Sequence, residues 1–246
     1  DRITVLRDGK LVGTVNNEDV CEGDLINMMV GRDLENVYPK RDIPIGDVVL
    51  RVENLASEDL LEGISFDVHE GEILGIYGLV GSRRTETLET IFGIRTITDG
   101  RIYLNGMETS ISNPRHAIKH HIAFVTEDRK KSGLVLCLPV YENVNMLNAQ
   151  KPSTLGFLNW SRLKKVAEKH RKSLNIRVSS IEQVIKSLSG GNQQKVALAK
   201  WLDFSPDVIL FDEPTRGIDI GAKTEIYSIM GELAAKGTAI VMVSSE

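Results

Sequence analysis

Short apolar runs alternate with amphipathic stretches along this chain, and the two periods sort most of it into strands and helices. Ile73-Leu74-Gly75-Ile76-Tyr77, Ile122 to Val125, Val208 to Phe211 and Thr238 to Val243 are apolar runs that read as buried strands. Val48 to Val52, Gly63 to Val68 and Ile102-Tyr103-Leu104 are also strand-like, the last followed by an Asn105-Gly106 turn. Helical spacing covers Thr85 to Phe92, with Leu88, Ile91 and Phe92 in core positions. It also covers Gly190 to Asp203, where apolar residues fall at 196, 198, 199, 201 and 202. Val140 to Leu147, Arg162 to Leu174 and Ala222 to Ala235 read the same way. Strands alternating with helices predict an α/β fold on a mostly parallel sheet.

The first residues follow a different rhythm. Ile3 to Leu6 and Leu11 to Thr14 flank Asp8-Gly9, a hairpin signal. Glu22 to Val30 predicts a short helix stopped by Gly31. Residues 32–47 are charged, carry Pro39, Pro44 and Gly46, and read as a linker. A second unit begins at Val48. Its last apolar strand runs almost to Glu246, so the chain is expected to be a fragment of a longer polypeptide.

Composition narrows the function classes. The chain has 246 residues, 41% hydrophobic and 26% charged, with a net charge of −4. No overall basic field draws it to nucleic acid. No apolar stretch reaches the roughly 18–20 residues that span a bilayer. Cys21 and Cys137 have no metal-binding spacing and read as reduced thiols of a cytosolic protein. Surface positions are expected for His69, His116, His120, His121 and His170, and a solvated loop for Arg129-Lys130-Lys131. Trp160 and Trp201 are expected to be packing residues.

Three local signals carry chemistry. Gly78-Leu79-Val80-Gly81-Ser82-Arg83-Arg84-Thr85-Glu86 lies between a strand and a helix, where backbone N–H groups and the helix dipole make an anion site. The full phosphate-loop pattern wants glycine at 83 and lysine at 84, and this chain has arginine at both. Asp212-Glu213 ends an apolar strand, which suits a metal-binding and water-orienting pair but is a weak signal alone. Leu188-Ser189-Gly190-Gly191-Asn192-Gln193-Gln194-Lys195 opens a helix with an N-cap serine and two glycines that allow close backbone approach to an anion.

In this order the signals resemble the nucleotide-binding domain of an ABC transporter. LSGGNQQK at 188–195 resembles the signature, 208–213 the Walker B strand, Gly217-Ile218-Asp219 the D-loop, and Glu127 occupies the Q-loop position. The chain is most similar to the second domain of ATP-binding subunits of bacterial monosaccharide importers (ribose, galactose or xylose type). The residues carrying that likeness are GLVGSRRTE, Thr126-Glu127-Asp128-Arg129-Lys130, Asp212 to Asp219, and Ser244-Ser245-Glu246.

The resemblance implies a P-loop NTPase core with a mostly parallel sheet, an antiparallel β-subdomain and a helical subdomain near 129–190. Residues 1–31 would be the tail of a preceding nucleotide-binding domain, 32–47 a linker, and 48–246 the second domain. The tail has one conceivable seat beside the strand at 238–243. The implied ligands are ATP and Mg²⁺. Gly78, Gly81, Ser82, Arg83, Arg84, Thr85 and Glu86 would face nucleotide held by this domain. Ser189, Gly190, Gly191, Gln193 and Asp219 would face nucleotide held by another. Thr85 and Asp212 would hold the metal, and Glu213 would be the general base.

Three departures weaken the first of these sites. Arg84 replaces the loop lysine, a habit of this subgroup. Arg83 replaces a glycine and would crowd the phosphates or strain the backbone. Ser245 stands where most relatives carry the switch histidine, and lacks its charge-assisted contact. The implied partners are the first nucleotide-binding domain, an integral-membrane sugar permease and, indirectly, a periplasmic or lipid-anchored sugar-binding protein, with no nucleic acid. The implied location is peripheral, on the cytoplasmic face of the cell membrane. A non-catalytic binding or permease-docking module, and a soluble ABC protein of translation or DNA repair, are the competing readings.

Overall fold

A computed structural model of the chain describes residues 1–7, 9–30, 42–58, 60–79, 81–148, 153–154 and 157–245. Asp8 of the predicted hairpin turn, Gly31, most of the linker with Pro39, Val80, and Glu246 lie outside the described residues.

Strands β1 (Arg2–Arg7) and β2 (Lys10–Asn16) pair antiparallel, and helix α1 (Glu22–Val30) packs on them. This is the predicted hairpin and helix. Neither strand pairs with the strand at 239–244, so the hairpin is not an extra strand of the main sheet.

Two sheets follow. Strands β3 (Val48–Ser57), β4 (Leu61–His69), β6 (Asp99–Leu104) and β7 (Met107–Glu108) form an antiparallel sheet in the order β4-β3-β6-β7. The predicted Asn105-Gly106 turn joins β6 to β7. Strands β5 (Ile73–Tyr77), β8 (Ile122–Val125), β11 (Val208–Asp212) and β12 (Ala239–Ser244) form a wholly parallel sheet in the order β5-β12-β11-β8. Parallel pairing requires crossovers, and four of the helices lie against this sheet: α2 (Arg84–Ile91), α3 (Pro114–Lys119), α6 (Gly190–Leu202) and α7 (Ile220–Ala234). β11 is buried at every position, with β12 on one side and β8 on the other. β5 differs from expectation. It is an edge strand among the described residues, paired only with β12, and Tyr77 is 72% exposed.

Residues 129–190 make the helical part. It holds a single turn of π-helix (Arg129–Gly133), α3's successor α4 (Val140–Asn145), a small hairpin of β9 (Ser153–Thr154) and β10 (Phe157–Leu158), and α5 (Trp160–Ser173); α3 itself (Pro114–Lys119) precedes β8. It has its own core of Val140, Val144, Ala167, Leu174, Ile176 and Ile185. Helix α6 joins the two cores: Leu198 and Trp201 pack into the main one, Val196 and Ala199 into the helical one. Residues 193–201 of α6 are buried without a break, so this helix is held from all sides and its N-terminus is fixed in space.

Trp201 packs edge-on against Phe92, 5.7 Å between ring centres, as a core residue. Trp160 is half-exposed and meets Tyr141 at 6.2 Å. His170 corrects the surface expectation: it is buried, with Nε2 3.4 Å from Asp203 Oδ1. Leu210 sits at 0% exposure in the middle of β11. Leu210→Ala should cost about 3–4 kcal/mol in chemical denaturation, since neither flanking strand can move inward without losing register.

Candidate functional site

Parallel register sends the C-terminal ends of four strands to one edge of the sheet. There β5 runs into the 78–83 loop, β11 ends at Asp212 and Glu213, β12 ends at Ser244 and Ser245, and β8 leads into Thr126 and Glu127. Ligands of open α/β sheets bind outside this edge.

The phosphate-loop segment turns into α2 through two residues of positive φ, Gly81 at 89° and Arg83 at 65°. Left-handed backbone at a non-glycine residue costs on the order of 1 kcal/mol, so the strain expected at Arg83 is present. The Arg83 side chain is 47% exposed, and its Nη1 donates to Glu86 Oε1 at 3.0 Å, within the same 78–86 segment. Within the loop, a Cβ added to Gly78 would lie 2.5 Å from Ser82 Oγ, so Ser82 folds over Gly78. Arg84 turns back beneath the loop. Its Nη1 donates to the Ser244 carbonyl, and its Nη2 lies 3.5 Å from Glu213 Oε1.

Beside it, Thr85 Oγ1 donates to Asp212 Oδ1 at 3.0 Å. Asp212 is 1% exposed, and burial pushes its carboxyl up to about 6, against the opposing Thr85 hydrogen bond. A hydroxyl and a buried, under-compensated carboxylate are hard oxygen donors, and they fit Mg²⁺ supplemented by water and phosphate oxygens. Among the described residues, no group of three or more His, Cys, Asp or Glu side chains makes a metal site from protein alone. Glu213 has φ 44°, and its N–H is held by the Val243 carbonyl at 3.1 Å.

The signature residues form a second patch. Among the described residues, no hydrogen bond or ion pair joins 78–86 to 188–195. Ser189 occupies the N-cap of α6 but caps no N–H; its Oγ accepts from Asn192 Nδ2 at 2.9 Å. The first turn of α6 therefore keeps N–H groups without a side-chain cap. The glycines are required by close approach. A Cβ on Gly191 would lie 2.5 Å from Ala222 Cβ, and one on Gly190 would lie 2.8 Å from Arg129 Nη2. Asp219 caps α7 by accepting from the Ala222 N–H at 2.9 Å. Lys195 is buried against Glu225 and the Asn175 carbonyl, which anchors the helix below its motif.

Two residues depart from their expected places. Gln193 is 4% exposed and turned inward; its Nε2 donates to the Ile185 and Leu188 carbonyls at 3.2 Å each. It shapes the motif and does not face outward. Arg129, expected in a solvated loop, is 9% exposed in the π turn. Its Nη1 donates to the Arg216 carbonyl at 3.0 Å and its Nη2 to the Gly217 carbonyl at 3.3 Å. Lys130 and Lys131 are exposed, as read. Glu127 pairs with the Arg216 side chain, and Ser245 is exposed beyond β12. Nothing in hydrophobic patterning singles out Arg129; its place within the Thr-Glu-Asp-Arg-Lys run was the one available signal.

Residues 61–216 match the family model described as ABC transporter, and the chain belongs to that family. It is similar along its whole length to the putative ribose/galactose/methyl galactoside import ATP-binding protein of Halalkalibacterium halodurans, at 49% identity over 47% of that protein. It is 47% identical to the ribose import ATP-binding protein RbsA of Geobacillus kaustophilus, over all of this chain and 50% of that one. The chain thus spans about half the length of the curated relatives it matches. The fold is also that of a nucleotide-free ATP-binding cassette of an ABC transporter (TM-score 0.69, 22% identity, covering 81% of this chain and 82% of that one). A dimeric cassette in a post-hydrolysis state with ADP and phosphate agrees too (TM-score 0.67, 23% identity, 80% and 88% covered). These likenesses establish the α/β P-loop fold expected from the sequence.

The raised carboxyl of Asp212 sets a pH-dependent prediction. Its folded value near 6 lies above the ordinary 3.8, so its unfavourable contribution is absent below 3.8 and complete above about 6. Without ligand, Asp212→Asn should therefore raise stability at pH 7.5 by roughly 1–3 kcal/mol, an increase in Tm of a few degrees that vanishes towards pH 4. Thermal melts at the two pH values measure it.

Proposed function

We propose that this chain is the second nucleotide-binding domain of a sugar-importing ABC ATPase subunit, preceded through the 32–47 linker by the 1–31 tail of the first domain. The signature at 188–195 closes over ATP held by the first domain, and the 78–86 site pairs with the first domain's signature. The partners are that first domain and an integral-membrane sugar permease, served by a periplasmic or lipid-anchored sugar-binding protein. The subunit sits on the cytoplasmic face of the membrane. The names of the relatives support the importer reading; among the described residues no helix is long and apolar enough to cross a membrane.

The domain's own site binds nucleotide weakly and turns it over slowly. The observation that carries this is Arg84, which spends its guanidinium on Glu213 and on the Ser244 carbonyl. Phosphate must draw Arg84 off both before Glu213 is free to orient an attacking water. Thr85 and Asp212 would hold Mg²⁺, which would supply positive charge to offset that of the phosphates. Glu127 stands at the Q-loop position to sense that water. Ser245 offers a hydroxyl where a histidine would offer a charge.

In the two-domain subunit, Glu213→Gln should leave ATP turnover within about threefold of wild type, while the matching change in the first domain should abolish it. Equal losses would overturn the asymmetry. Arg83→Gly removes the side chain expected to crowd the phosphates and should tighten Mg-ATP binding to this chain by about three- to tenfold in calorimetric titration, whereas an unchanged affinity would show that Arg83 leaves phosphate its room. The second reading, a docking module that binds no nucleotide, is favoured by the same Arg84 lock. Micromolar Mg-ATP affinity in the wild-type chain excludes it.

A further inference from the structure

The π turn Arg129–Gly133 sits where three motifs meet, and π turns recur at functional positions. At its start the Arg129 guanidinium spans two consecutive carbonyls at the entry to the D-loop, Arg216 and Gly217. The same Nη2 lies against Gly190, where any side chain would be 2.8 Å away. At its end the Gly133 carbonyl accepts from Lys200 Nζ at 2.7 Å, and Lys200 belongs to the signature helix. Asp128, which caps the turn through the Lys130 and Lys131 N–H groups, is one residue from Glu127. Glu127 in turn holds the Arg216 side chain.

Arg129 is an expensive residue to place here. It is nine-tenths buried, its Nε has no hydrogen-bond partner, and among the described residues no carboxylate lies within ion-pair distance of it. Burial pulls the guanidinium below its ordinary value, with Asp128 opposing. Lys200 is likewise buried, its ammonium against the Gly133 carbonyl and the Trp201 ring. Two buried cations facing backbone carbonyls are poor sources of stability, because desolvation offsets most of the attraction. What the guanidinium supplies is geometry: a rigid planar fork sets two carbonyls at a fixed spacing, which an ammonium cannot do.

We propose that Arg129 is a positioning residue that locks the signature turn at 189–191 to Arg216 and the D-loop at 217–219, so that the two move as one body with Glu127. Ser189 to Gly191 and Asp219 then reach a partner domain's nucleotide with one fixed spacing, and a displacement of the Q-loop segment is transmitted to both. The role in turnover rests on the proposed function; the lock itself does not.

The test is Arg129→Lys, which keeps the charge and loses the fork. Hydrogen–deuterium exchange on the 246-residue chain should show residues 189–193 and 214–219 exchanging at least about tenfold faster, with 208–211 unchanged. In the two-domain subunit, kcat should fall about tenfold with KM for ATP unchanged, because the signature acts on the closed state. Exchange equal to wild type in both turns overturns the lock. Faster exchange with unaltered kcat overturns the role in turnover. A wild-type subunit without ATPase activity refutes the proposed function, and the exchange result still decides the lock. Should Arg129→Lys not fold, Arg129→Met, which removes a buried cation without an ion-pair partner while keeping an apolar stem, must loosen 189–193 and 214–219 in the same way, and unchanged exchange there overturns the lock.

Discussion

Parallel register among β5, β12, β11 and β8 is the constraint on which the rest depends. A parallel strand has all its neighbours ending on the same side, so one pairing pattern brings the phosphate-loop segment, the acid pair, the switch position and the Q-loop position to a single edge. They are delivered by Val208 to Phe211, which are almost wholly buried between two neighbours and fix the spacing of everything beyond them. The signature reaches its place by a different device. It caps a helix buried along residues 193–201, which belongs to both cores and cannot rotate without disturbing each.

Within that frame the two arginines at 83 and 84 act differently from one another. Arg83 pairs with Glu86 of its own segment and holds a left-handed backbone, at φ 65°. Arg84 goes under the loop and spans the ends of β11 and β12. The planar, five-donor guanidinium allows one residue to hold a carbonyl and a carboxylate together, where lysine would offer a single point charge. The residue that looks conservative in charge is therefore the one that ties Glu213, after β11, to the Ser244 carbonyl at the end of β12.

The sequence was legible wherever periodicity or turn chemistry was strong. The four central strands, the 105–106 hairpin, the N-terminal hairpin and the helix at 22–30 all stand where apolar spacing and Gly or Asn turns placed them. The motif residues were legible because their spacing has a chemical cause. What escaped was tertiary. That β5 is an edge strand depends on which strands are present beside it, and its apolar run gives no hint of that. The inward turn of Gln193, the buried His170 beside Asp203, and the buried Arg129 all concern polar residues whose partners are backbone carbonyls or distant side chains. Hydropathy assigns such residues to the surface by default.

Whether this domain lends its signature to the first domain's nucleotide while Arg84 keeps its own site closed is read out by vanadate trapping of labelled nucleotide in the two-domain subunit. One trapped nucleotide per subunit is expected, photolabelling the first domain's phosphate loop and, from this chain, residues 188–195. Two trapped nucleotides per subunit, with label on residues 78–86, would contradict it.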